Sequence, residues 1–129
     1  MAVYGNNDGA HQTARDLMDA GVEVAAVIDS RKDASVALDA PVITGGRVIA
    51  TSGRLGLEEI TVATGSGQER LKVDCLAVSG GWNPNVNITS HHRSRPEWRD
   101  DIAAFVPGTG GPAGLTAAGA ANGALSTHG

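Results

Sequence analysis

The first thirty residues restrict the fold more than any other part of the chain. A short apolar run at residues 2–4 leads into the turn Gly5-Asn6-Asn7-Asp8-Gly9. Apolar residues at helical spacing follow up to Gly21, and residues 22–28 form a second, nearly unbroken apolar run. This order predicts a strand–helix–strand crossover, in which the two strands are parallel and the connection is right-handed.

The remaining apolar segments predict the rest of the fold. Aromatic residues make up only 3% of the chain, so its core must consist of Val, Ile, Leu and Ala, which suits a buried parallel sheet. Short β-prone runs at residues 47–51, 58–63 and 70–73 are separated by glycine-containing turns and predict an antiparallel meander. We therefore predict an α/β fold, a Rossmann-like three-layer nucleotide-binding domain with a small antiparallel β-meander, incomplete within these 129 residues.

The pattern is weaker elsewhere. Residues 74–79 are typical of a buried strand, and residues 34–38 of a short helix. Residues 98–105 are compatible with one or two helical turns, and the segment 107–119 is rich in Pro, Gly, Ala and Thr and should be a loop.

Charge and composition exclude several classes of function. Ten basic and 14 acidic residues give a net charge of −4, which argues against a general nucleic-acid-binding protein. No apolar run approaches the length needed to span a bilayer, and the first residues do not resemble a secretory signal. We therefore expect no membrane partner. The single cysteine excludes an internal disulfide framework, so we expect the chain to be located in a reducing cytoplasm.

The glycine-containing turn is the leading candidate for a cofactor site. A pyrophosphate binds the free N–H groups at a helix N-terminus, usually through the pattern G-x-G-x-x-G/A. Gly5, Asn7 and Ala10 occupy its three small-residue positions, with Asn6, Asp8 and Gly9 between them. Asparagine thus replaces the middle glycine, and an ordinary strand-to-helix turn with a polar cap is the alternative interpretation.

The end of the second apolar run strengthens this hypothesis. Asp29 lies about twenty residues past the turn, where an acidic side chain accepts hydrogen bonds from an adenosine ribose. A carboxylate there favours NAD over NADP, whereas the neighbouring Arg31, after Ser30, could accept a 2′-phosphate. A solvated residue at a strand end is the alternative interpretation of Asp29.

A second cluster follows the run at residues 74–79. Ser79, Gly80 and Gly81 would let a dinucleotide approach the backbone closely, although an ordinary strand-ending turn explains them equally well. Cys75 is expected to be an inert core thiol. The segment of His91, His92, Arg93 and Arg95 is expected to be a solvated loop, and we predict no catalytic and no metal-binding residue.

Three segments together resemble the α subunit of heterotetrameric sarcosine oxidase. They are residues 4–10 with Thr13 and Ala14, residues 21–29, and residues 76–84, which contain the signature Ser79-Gly80-Gly81-Trp82-Asn83-Pro84. The resemblance implies the two-dinucleotide-binding flavoprotein architecture, with NAD bound by this region and other subunits as partners. It further implies that the full complex holds FAD and FMN, oxidatively demethylates sarcosine and passes the one-carbon unit to tetrahydrofolate.

The resemblance also implies a domain organisation. Residues 1–106 would be the inserted NAD-binding domain, and residues 107–129 a loop and return segment towards an FAD-type dinucleotide domain. The chain would then be a fragment that is inactive alone. Two alternatives stay open: a Rossmann-like structural or subunit-contact module that binds nothing, and a subunit of a related amine or opine dehydrogenase.

Overall fold

The chain forms two compact units. A computed structural model describes residues 1–91 and 94–125. The first unit is Met1–Gly80 and the second is Gly81–Gly129, so the compact units divide earlier than the predicted domain boundary after residue 106, which stays a prediction. Within the described residues, no helix is both long and apolar enough to cross a membrane.

The first unit contains most of the regular structure. Its elements in chain order are β1 (Ala2–Gly5), α1 (Asp8–Asp19), β2 (Ala26–Asp29), β3 (Val42–Thr44), β4 (Arg47–Ser52), β5 (Glu59–Thr64), β6 (Gly67–Lys72) and β7 (Leu76–Ser79). Four strands form a parallel sheet in the order β3-β2-β1-β7, and β4, β5 and β6 form an antiparallel sheet in that order. The predicted crossover, the parallel sheet and the meander are confirmed.

Helix α1 begins and ends where its sequence indicates. Asn7 precedes it in an extended conformation, with φ −152° and ψ 166°. At the other end, Gly21 has φ +81° and its N–H donates to the carbonyl oxygen of Met18 at 2.9 Å. Glycine reaches this left-handed conformation without steric cost, so the chain can turn back towards β2.

The two central strands of the parallel sheet, β1 and β2, are buried on both faces, each against a different partner. On one face, side chains of β1 and β2 pack with the apolar side of the meander around Ile60 and Val62. On the other face, Val3 and Val27 pack against Ala10 and Ala14 of α1. The result is the predicted three-layer arrangement of helix, parallel sheet and antiparallel sheet.

Three expectations in the first unit are wrong. Residues 34–38 form no helix and have no regular secondary structure. The strand predicted at 74–79 begins at Leu76 and lies at the sheet edge, where Val78 is 65% exposed. Cys75 precedes this strand and is exposed, so it is not a core thiol.

The second unit corrects a fourth expectation. It contains α2 (Asn87–Ser90), β8 (Glu97–Arg99), β9 (Ala104–Val106) and a 3-10 helix at Gly119–Asn122. Residues 98–105, expected to be helical, form the antiparallel hairpin of β8 and β9. Trp98 pairs with Phe105 across the hairpin in an edge-to-face arrangement, with ring centroids 5.1 Å apart. Such cross-strand aromatic contacts stabilise a hairpin, which outweighs the weak helical preference.

Candidate functional site

The carboxyl ends of three parallel strands bring the predicted site residues of the first unit together. Strand β1 lies between β2 and β7, and its last residue, Gly5, is in register with both Asp29 and Ser79. The turn from Gly5 to the start of α1 lies at this same edge. Ligands of open α/β sheets bind at the carboxyl ends of the strands, so this edge is the candidate site.

Gly5 is required for the close packing of α1 on the sheet. A Cβ atom built on Gly5 would collide with the Cβ of Ala10 and lie 3.1 Å from the carbonyl oxygen of Ser79. Ala10 itself is 1% exposed, so it has no room to move away. The first and third small-residue positions of the turn therefore face each other, and helix α1 can start directly above the end of β1.

Asn7 occupies the position of the missing middle glycine, and its Oδ1 lies close to Gly9 in the first turn of α1. Its side chain is buried, and its Nδ2 donates to Oδ1 of Asn6 at 2.9 Å and to the carbonyl oxygen of Ser79 at 3.4 Å. The amide is thus held against the end of β7. The side chain of Asn7, the residue before α1, makes no capping hydrogen bond, and the N–H of Ala10 donates to the carbonyl oxygen of Asn7 at 3.2 Å. The N–H groups of Asp8 and Gly9, at the start of the helix, keep the capacity to bind an anion.

The segment after β2 is tied to the same edge. The N–H of Ser30 donates to the carbonyl oxygen of Gly5 at 3.0 Å, and the N–H of Arg31 donates to Oδ1 of Asp29 at 2.8 Å. Backbone bonds therefore hold residues 29–31 beside the turn.

Asp29 is buried and its carboxylate is fully engaged by protein groups. Its exposed fraction is 1%. Oδ2 accepts a hydrogen bond from Nε2 of His11 at 2.5 Å and another from Nη2 of Arg31 at 2.9 Å. Oδ1 accepts from the N–H and the Nε of Arg31, at 2.8 and 3.2 Å. This geometry leaves Asp29 little capacity to bind a ribose directly.

The surroundings of Asp29 keep it ionised. Burial alone would raise the pKa of its carboxyl group, but hydrogen bonds from Arg31 and His11 stabilise the anion and lower the pKa below its ordinary value. In return, the hydrogen bond to the Asp29 carboxylate raises the pKa of the Arg31 guanidinium. Burial opposes this effect, and the hydrogen bond to Asp8 adds to it. The pair of Asp29 and Arg31 is therefore charged.

His11 is a residue of this site that the sequence analysis missed. It is 1% exposed, on the same buried side of α1 as Ala10 and Ala14. Because Nε2 donates to Asp29, Nδ1 carries a lone pair in the neutral ring, and it has no hydrogen-bond partner among the described residues. The signal in the sequence was a histidine at an inward-facing helical position, together with a carboxylate at the end of the neighbouring strand.

An ion pair across the site, between Arg31 and Asp8, was not predicted from the sequence either. Nη2 of Arg31 lies 2.7 Å from Oδ1 of Asp8, the first residue of α1. Asp8 has a side chain that is 74% exposed, whereas that of Arg31 is 26% exposed. Residues 23 positions apart thus meet at the surface, directly between the helix start and the end of β2.

The remaining predicted residues are placed less closely. Gly80 ends the first unit, and a Cβ atom on it would meet open space, whereas Gly81 begins the second unit. His91 is exposed, and His92 and Arg93 lie outside the described residues. Within residues 1–91 and 94–125, no group of three or more His, Cys, Asp or Glu side chains could hold a metal ion.

Solved structures define the class of fold. A bacillithiol disulfide reductase from Staphylococcus aureus matches 82% of this chain and 35% of its own, with 13% sequence identity and a TM-score of 0.55. A thioredoxin reductase from Gloeobacter violaceus matches 81% of this chain and 35% of its own, with 17% identity and a TM-score of 0.51. The chain therefore has the Rossmann-like α/β fold that its sequence predicts.

Sequence comparison identifies the relatives. No protein-family model matches the chain. Sarcosine oxidase subunit alpha of Rhizobium meliloti strain 1021 is 33% identical over 130 residues, which are 99% of this chain and 13% of that protein. The same subunit of Corynebacterium sp. strain P-1 is 35% identical over 83% of this chain and 12% of its own length. The chain is related to a part of the sarcosine oxidase α subunits, which confirms the predicted resemblance, and it spans about an eighth of their length.

Proposed function

We propose that the chain binds NAD, as the NAD-binding part of the α subunit of a sarcosine oxidase-type oxidoreductase. The observation that carries the proposal is the register of Gly5 with Asp29 and Ser79, which puts three strand ends beside the free start of α1. Under this proposal residues 1–106 belong to the inserted nucleotide domain, and residues 107–129 lead back towards an FAD-type domain.

The turn fits the pyrophosphate of a dinucleotide. Gly5 and Ala10 allow α1 to begin close to the strand end, and Asn7 is folded against Ser79. The N–H groups at the start of α1, together with the positive end of the helix dipole, then attract the phosphates. Gly9 is exposed and adds no side chain at the surface of this turn.

The chemistry of the whole enzyme lies beyond these residues. NAD, when bound, supplies a two-electron hydride acceptor. The residues of this chain bind and orient the nucleotide, and we assign none of them a catalytic role. Sarcosine demethylation, FAD, FMN and contacts with other subunits belong to the larger complex in this proposal, so the chain alone is expected to be inactive.

Thermal unfolding with and without NAD tests the proposal. A ligand that binds only the folded state stabilises it by about 2.7 kcal/mol at a concentration of 100 Kd. We expect NAD at millimolar concentration to raise the melting temperature by several degrees. An unchanged melting temperature for protein that is folded by circular dichroism would contradict NAD binding.

A matched pair of variants locates the binding site. Gly9→Glu adds a negative charge in the first turn of α1, and its Cβ, 2.8 Å from Oδ1 of Asn7, also displaces that side chain in the turn. Gln12→Glu adds the same charge at an exposed position further along the helix. We expect Gly9→Glu to abolish the NAD-induced stabilisation and Gln12→Glu to retain it. Equal stabilisation of both variants would place the nucleotide elsewhere.

One observation favours a structural module that binds nothing. The buried Asp29 carboxylate has protein partners for both oxygens, so the contacts of its side chain are complete without a ligand. This alternative predicts no response to NAD in the same melting experiment.

A further inference from the structure

We infer that Asp8 is the residue that excludes a phosphate from the ribose 2′ position, and that it does so by pairing with Arg31. This inference rests on the proposed dinucleotide site and adds its selectivity. The exposed carboxylate that selects NAD over NADP would then be Asp8, at the start of α1, and not Asp29, at the end of β2.

The positions of Asp8, Asp29 and Arg31 relative to the expected ribose support this inference. A dinucleotide whose pyrophosphate binds at the start of the helix has its adenosine ribose near the end of the second strand. Asp29 ends that strand but is 1% exposed, with both oxygens accepting hydrogen bonds. The Asp8 carboxylate and part of the Arg31 guanidinium reach the surface at this edge, beside the exposed side chains of Lys32 and Asp33.

The hydrogen bonds of Arg31 to two carboxylates make its guanidinium less available to a phosphate. Its Nε donates to Asp29 at 3.2 Å, and its Nη2 is shared between Asp29 at 2.9 Å and Asp8 at 2.7 Å. A 2′-phosphate would have to compete with two carboxylates for this guanidinium. Asp29 is thus a positioning residue, since it holds Arg31 in place without facing the ribose.

The net charge of the three side chains also disfavours a 2′-phosphate. Arg31 contributes +1, and Asp8 and Asp29 contribute −1 each, so the three side chains sum to −1. A phosphate monoester carries about −1.5 to −2 at neutral pH and is repelled by such a cluster. A 2′-hydroxyl is neutral, and it can donate a hydrogen bond to the exposed Asp8 carboxylate.

The test measures the selectivity of binding. Dissociation constants for NAD and NADP are determined by titration calorimetry on the full chain and its variants, at low ionic strength. For the wild type we expect NAD to bind more tightly. Asp8→Asn removes the exposed carboxylate and frees Nη2 of Arg31, so the ratio of the NADP constant to the NAD constant should fall about fivefold. This is the scale of one unit-charge interaction a few ångströms apart in water.

A control variant separates local from general charge effects. Asp16→Asn removes one negative charge from an exposed position on the same helix. We expect its ratio to equal that of the wild type. The Asp8→Asn effect should also shrink as salt is added, because exposed charges are screened.

The results of these titrations distinguish failure of the proposed Asp8 role from failure of NAD binding itself. Suppose that the wild type binds NAD but the ratio of the NADP to the NAD dissociation constant is unchanged in Asp8→Asn. The role of Asp8 is then overturned, while NAD binding stands. The same conclusion follows if this ratio falls equally in Asp8→Asn and Asp16→Asn. A wild type that prefers NADP overturns the role of Asp8 as well. If folded wild type binds neither nucleotide at millimolar concentration, the proposed function fails and the selectivity with it.

Discussion

A buried carboxylate such as Asp29 must be compensated, and the residues around it show how. Transfer of an unpaired charge into the protein interior costs several kcal/mol. Arg31 supplies a cation from the same loop, and His11 supplies a further donor from α1. The network therefore joins the helix, the strand end and the following loop through a single side chain.

The isosteric change Asp29→Asn tests this network. We expect it to lower the free energy of unfolding by about 2 kcal/mol, because Arg31 and His11 lose the anion to which they donate. Urea unfolding followed by circular dichroism measures the loss. Asp101→Asn is the matched control, since Asp101 also pairs with an arginine, Arg99, but is exposed, and it should not change stability measurably. Equal losses in both variants would contradict the role of burial.

The stability difference between wild type and Asp29→Asn should also depend on pH in the acid range. The pKa of Asp29 is lower in the folded chain than its ordinary value of about 3.9. The ionised group therefore contributes stability at higher pH, and this contribution is lost as the pH falls from about 4 through the folded-state pKa. The stability gap between wild type and Asp29→Asn should narrow as the pH falls below 4. A gap that does not change with pH would show that Asp29 stabilises only by packing.

At the scale of the element, the β1–α1 turn combines packing with the capacity to bind an anion. Gly5 and Ala10 bring the helix close to the sheet, and the same proximity leaves its first N–H groups at the strand ends. The glycine pattern thus has a structural reason that holds whether or not a nucleotide binds.

Gly5→Ala tests this packing. The added Cβ would overlap Ala10 and crowd the carbonyl oxygen of Ser79, so α1 must shift away from the sheet. We expect a loss of about 1–3 kcal/mol in the free energy of unfolding, typical of overpacking. Gly65→Ala, where a Cβ atom meets nothing within 4 Å, is the control and should be close to neutral. Wild-type stability of Gly5→Ala would show that the helix adjusts without cost.

Elements were predictable from the sequence where the pattern was long and local. Helix α1 has an apolar side and a glycine at its end, and both features depend only on neighbouring residues. The β8–β9 hairpin was missed because its stabilising contact joins Trp98 and Phe105, whose cross-strand pairing a short helical pattern does not reveal.

At the scale of the whole molecule, both apolar clusters of the sheet lie within the first unit. One contains Ile28, Ile60 and Val62, and the other contains Val3 and Val27 with the helix. Each cluster uses residues from elements that are distant in the sequence, so the layers are stabilised together.

This distribution of the core predicts that residues 1–80 fold without the rest of the chain. A protein of these residues should unfold in one cooperative thermal transition, because both clusters are complete within it. Ile28→Ala in the same shortened chain is the destabilised control, since Ile28 is fully buried and its truncation costs about 2–5 kcal/mol. A broad transition that Ile28→Ala leaves unchanged would show that the second unit is needed for folding.

The sequence by itself determined the strand–helix–strand order, the parallel sheet, the meander and the location of the candidate turn. These follow from apolar periodicity and turn residues, which act over a few neighbouring positions. Only the tertiary structure decided that Asp29 is buried against His11 and that Arg31 pairs with Asp8. Those contacts join residues 18 and 23 positions apart, and their strength depends on burial and distance, which no local pattern contains.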